Sequence, residues 1–140
     1  MPRILAIDFG LKRTGLAVTD PLRIIASALD TVPSSELMTY LKAYVTKEQV
    51  DGFVVGLPKN LDGSATDITG NVLALVEALK QNFPTLWVET VDERFTSTMA
   101  QRTVMESGIG RMARRDKGQL DRISATIILQ GWMEAQGRNK

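Results

Sequence analysis

Apolar residues recur along the chain first with a period of two and later with a period near 3.6, so strands give way to helices. Arg3 to Asp8 (RILAID), Thr14 to Thr19 (TGLAVT) and Arg23 to Leu29 are short apolar-rich stretches, set apart by Gly10 and by Asp20-Pro21. This spacing predicts three consecutive strands in an antiparallel meander. Pro33-Ser34-Ser35-Glu36 has helix-start chemistry, and Leu37, Leu41, Tyr44 and Val45 follow at helical intervals. Asp51 to Leu57 (DGFVVGL) is nearly all apolar, as a strand covered on both faces should be.

After a polar loop, Pro58 to Thr66, the residues Ile68, Val72, Leu75, Val76 and Leu79 trace one face of an amphipathic helix. Leu86 to Val91 is a fifth strand, Thr96 to Ser107 a helix stopped by Gly108 and Gly110, and Leu120 to Gln136 the last helix. The order βββαβαβαα, with right-handed crossovers, predicts an α/β fold. Its mixed five-stranded sheet is an antiparallel meander plus two parallel strands, with helices on both faces. At 140 residues, 1–140 reads as a single domain large enough to bury a core without disulfides.

Composition removes much of the available chemistry. With no cysteine and no histidine, thiolate nucleophiles, imidazole ligands and every serine-histidine mechanism are excluded. Carboxylates, Lys, Tyr, Ser/Thr and backbone groups remain, and oxygen-only ligand sets favour Mg²⁺ or Mn²⁺. No apolar run is long enough to span a bilayer and no secretory signal opens the chain, so a cytoplasmic location away from membranes is expected. The net charge is +1, but between Arg94 and Arg122 seven basic residues face three acidic ones, leaving −3 elsewhere. The basic charge is therefore local.

Three acids stand where apolar segments end or begin. Asp8 closes the first strand before Gly10 and Gly15, a place suited to a carboxylate over the sheet edge, and equally to a hairpin turn whose Asp satisfies backbone amides. Asp92 and Glu93 end the fifth strand. Neighbours in an extended segment face opposite ways, so Glu93 is taken as the ligand and Asp92 as the reserve, with helix capping as the plain alternative. Asp121 shares a helical face with Ala125, Ile128 and Trp132 and so falls on the inward stripe; the alternative is an exposed acid favoured by the helix dipole. Three converging carboxylates can hold divalent ions that polarise a phosphodiester and activate water. Candidate nucleic-acid contacts are Lys12, Arg13, Lys59, Arg94, Arg111, Arg114, Arg115 and Lys117. Several of these lie on the glycine-flanked basic segment Gly108 to Gly118, which reads either as a flap over the acids or as a solvated loop.

Four segments stand out together: Ile7-Asp8-Phe9-Gly10 through Arg13, Gly15, Ala17-Val18 and Asp20; Val55-Gly56-Leu57-Pro58 with Asp62-Gly63-Ser64; Asp92-Glu93-Arg94 with Thr96 to Thr98; and Lys117-Gly118 with Asp121, Ser124-Ala125 and Ile128-Leu129. In this order they resemble the YqgF (RuvX) family of Holliday-junction-resolvase-like or pre-16S rRNA-processing nucleases. The resemblance implies an RNase H-like fold, catalytic and metal-holding roles for Asp8, Glu93 and Asp121, and a structured RNA or branched DNA partner. It implies cleavage at the 5′ end of pre-16S rRNA, or alternatively resolution of Holliday junctions, by a monomer or homodimer. Rival readings are an actin-type or sugar-type kinase, which needs a second lobe this length does not provide, and a non-catalytic nucleic-acid-binding module.

Overall fold

A computed structural model of the protein describes residues 3–20, 25–57, 68–92 and 117–138. Strands β1 (Arg3–Phe9), β2 (Arg13–Thr19) and β3 (Ala26–Pro33) pair antiparallel in sequence, while β4 (Val50–Leu57) and then β5 (Trp87–Asp92) add in parallel on the other side of β1. The order across the sheet is β3-β2-β1-β4-β5. A 3-10 turn at Ser34–Glu36 leads into α1 (Leu37–Lys47), α2 (Thr69–Asn82) links β4 to β5, and α3 (Lys117–Arg138) comes after β5. The meander, the two parallel strands and the cover on both faces agree with the pattern expected from sequence.

Alternation in β1 sorts the core into two layers. Leu5 and Ile7 point to one face, where with Leu16, Phe53 and Val55 they pack against Leu37 and Leu41 of α1 and Val72, Val76 and Leu79 of α2. Ile4 and Ala6 point to the other face, where Ala17 and Val54 join them against Ala125, Ile128 and Leu129 of α3. Small residues on both sides, Ala6 and Ala17 under Ala125, let α3 lie close on the sheet.

An aromatic stack fixes the far end of α3. The indole of Trp87 lies over Gly52, where an added Cβ would overlap its ring atoms. Trp132 stacks on Trp87 with centroids 5.3 Å apart and planes 21° from parallel, and its Nε1–H donates to Glu89. Residue 132 is thereby held at the level where β5 begins.

Two elements begin or end three or more residues from where they are expected. The third strand spans Ala26–Pro33, not Arg23 to Leu29. Asp30 pairs with Leu16 inside the ladder, and its carboxylate accepts from the Thr31 amide. The register then jumps so that Ala17 meets Ala28, an extra-residue bulge of the kind found on edge strands. The last helix starts at Lys117, so the final two residues of the expected basic flap belong to its first turn. The expected helix Thr96 to Ser107, the loop Pro58 to Thr66 and the rest of the basic segment lie outside the described residues. Among the described residues no helix is long and apolar enough to cross a membrane.

Candidate active site

Strands β1, β4 and β5 are parallel, so their carboxyl ends, at Phe9, Leu57 and Asp92, share one edge of the sheet. In open α/β sheets this is the edge where ligands bind. Asp8 sits one residue before the end of β1. By alternation it follows Ile4 and Ala6 on the α3 face, and it is half-buried.

Its neighbours in the sheet are both glycines. Gly15 of β2 pairs directly with Asp8, and the register Ile7 to Val55, carried one step further, sets Gly56 of β4 on its other side. The positions level with Asp8 on both adjacent strands carry no side chain. Glycines inside strands mark places where a ligand or another backbone comes close.

Helix α3 packs over the same face of the sheet. Residue 121 is one turn before Ala125, which is fully buried on the sheet, and eleven residues before Trp132. At 1.5 Å per helical residue it lies about 16 Å above the aromatic stack, and the rise of β5 from Trp87 to Asp92 at 3.3 Å per residue is also about 16 Å. The helix from Trp132 back to residue 121 is therefore about as long as β5 is from Trp87 to Asp92.

Of the other expected contacts, Lys12 lies in the β1–β2 turn and Arg13 opens β2, and both are exposed. Lys117 opens α3. The side chains of Asp92, Lys117 and Asp121, and the whole of Lys59, Glu93, Arg94, Arg111, Arg114 and Arg115, lie outside the described residues. Among the described residues no three acids stand at metal-holding separation.

Ser34 is a feature of this edge that the sequence pattern did not disclose. It reads as a helix cap, but no side-chain cap bond is made at this turn. Its hydroxyl donates to the Gly10 carbonyl instead, and its amide donates to the Lys12 carbonyl at 3.0 Å. Because that hydroxyl proton is committed, the buried Thr14 hydroxyl donates to Ser34 Oγ at 2.8 Å. The start of α1 thus grips the turn that follows Asp8. Perturbed phenols lie elsewhere, on α1. Burial raises the Tyr40 hydroxyl above the usual value, helped by the charge of Asp30 and a hydrogen bond to it, and burial also raises that of Tyr44.

Residues 2–135 match the family model described as RuvX, Holliday junction resolvase. A protein of Porphyromonas gingivalis named "Putative pre-16S rRNA nuclease" is 50% identical over 138 residues, covering 99% of this chain and 100% of that protein. The chain belongs to the RuvX family. A Bacteroides thetaiotaomicron relative of the same name is 48% identical, covering 97% of this chain and 99% of its own. Among solved structures, Thermus thermophilus RuvC in complex with a Holliday junction substrate aligns with TM-score 0.59 at 13% identity, over 96% of both chains. The fowlpox virus resolvase with Holliday junction DNA aligns with TM-score 0.54 at 11% identity, over 96% of this chain and 98% of that one. At such identities these two likenesses speak for the fold alone, the RNase H-like sheet expected from the sequence.

Proposed function

We propose that this RuvX-family chain is a divalent-metal-dependent endonuclease that hydrolyses phosphodiesters in structured RNA, with the 5′ end of pre-16S rRNA as its natural target. The single observation that carries the reading is the setting of Asp8. A half-buried carboxylate stands at the carboxyl end of a central parallel strand, with glycines at the paired positions, on the face that α3 covers. Carboxylates gathered at such an edge would repel one another, and a bound cation would offset that repulsion. Members named for pre-16S rRNA cleavage, matched over their whole length, favour ribosomal RNA as the substrate.

Asp8, Glu93 and Asp121 would hold Mg²⁺ or Mn²⁺; their hard oxygens suit these ions, and the protein offers no histidine or cysteine in competition. Parity supports Glu93 over Asp92: Val91 belongs to the layer under α3, and 93 has the same parity. The ion, when bound, polarises the phosphate and lowers the proton affinity of water. The chain's own contribution is to position and shield. Helix and sheet hold the acids at fixed separation, Val91 and the α3 cluster exclude bulk water from below, and Lys12 and Arg13 draw phosphates to the rim.

Branched DNA is a second substrate reading, favoured by the family's description as a Holliday junction resolvase. The test is a Mn²⁺-supplemented assay of pre-16S rRNA and four-way junctions in parallel, with Asp8→Asn and Asp121→Asn. Cleavage of the RNA should fall at least about a hundredfold in either variant while binding persists. Equal cleavage in both acid variants would end the proposal, and cleavage of junctions alone would move the substrate to DNA.

A further inference from the structure

Leu11 is the most exposed large apolar residue among the described ones, with 69% of its surface open to solvent, and it sits at the tip of the β1–β2 turn. A lone exposed leucine ordinarily needs no explanation. Its mounting does. The carbonyls on either side of it, Gly10 and Lys12, are both bound by Ser34, one by the hydroxyl and one by the amide. The turn beneath it is also shut, since a Cβ at Gly10 would overlap the Arg13 carbonyl oxygen.

A turn with no task is normally built from Asn, Asp, Gly or Ser. Here an apolar side chain is held out rigidly from a clamped turn, with the exposed Lys12 and Arg13 immediately after it. It is also three residues beyond Asp8, at most about 10 Å along the chain from the proposed reacting centre. An apolar projection beside cations is complementary to nucleic acid, whose phosphates lie outside and whose base faces are exposed at a step or an end.

We propose that Leu11 is a wedge that packs against, and opens, a base step of the bound nucleic acid close to the cut, and that Ser34 is the positioning residue that holds it out. The inference rests on the nuclease reading above and adds to it a way of choosing substrate. Structured nucleic acid with a strained or terminal base step near the target phosphate admits the wedge at least energetic expense, whereas continuous duplex resists it. The cations fix the backbone while Leu11 occupies the stack.

The test uses the full chain carrying Asp8→Asn, which binds without cutting, and an RNA hairpin with a single-stranded 5′ extension. 2-Aminopurine, which brightens when unstacked, is placed at the duplex end. Saturating protein should brighten the probe. Adding Leu11→Ala should abolish the brightening and weaken binding about tenfold, the loss expected when one leucine is no longer buried. Leu73→Ala, removing a leucine 49% exposed on α2, should change neither. Ser34→Ala should diminish the brightening and Ser34→Thr, which keeps the hydroxyl, should restore it. Brightening and affinity unaltered by Leu11→Ala would overturn the wedge alone and leave the nuclease reading standing. Failure of the Asp8→Asn protein to bind the hairpin at all would overturn both.

Discussion

Gly52 has no side chain because Trp87 uses the space, and through Trp87 it sets the height of α3 on the sheet. Gly52→Ala is therefore expected to act at a distance. The new methyl must push the indole off β4 and loosen its stack on Trp132, at about 1–3 kcal/mol by comparison with other overpacked cores. Denaturant unfolding measures this; a midpoint equal to wild type would show that the stack has slack. At this scale the sequence was partly legible. Asp8 could be placed at the end of an apolar run, but Ser34 could be read only as part of a helix start. Its real partners, Gly10 and Lys12, are more than twenty residues away in sequence, and no local pattern reveals a bond whose geometry depends on how β3 returns beside β1.

At the scale of elements, α3 is what joins two remote parts of the chain into one edge. Ala125 is fully buried where the helix crosses the sheet. Ala125→Leu should lift the helix, costing about 1–3 kcal/mol. It should also raise the Mn²⁺ concentration needed for cleavage, because residue 121 moves away from Asp8. A variant that is destabilised but keeps the wild-type metal requirement would mean that the site does not depend on this contact. The helix stripe was legible in advance, since Ala125, Ile128 and Trp132 follow the helical period. The bulge that carries β3 past Asp30 was not, because a charged residue on an edge strand pairs through its backbone regardless of side-chain polarity.

For the whole molecule, the proposed cluster of acids is a source of stored repulsion that bound cations relieve. Two opposite effects of Asp8→Asn follow for thermal unfolding. In EDTA the variant should melt above wild type, since one repelling charge is gone. In excess Mg²⁺ the wild type should gain several degrees through ligand linkage and overtake the variant, which gains less. A variant that melts lower under both conditions would assign Asp8 a structural role. The fold class was readable from the change of apolar period. The vertical register between helix and strands was not, because it is set by Trp87 meeting Trp132.

The helix that completes the strand-end edge is also the last of the described elements to be synthesised, following all five strands. The five strands can therefore pair before α3 is made, and Ile4, Ala6, Ala17 and Val54 stay uncovered on that face until the helix docks.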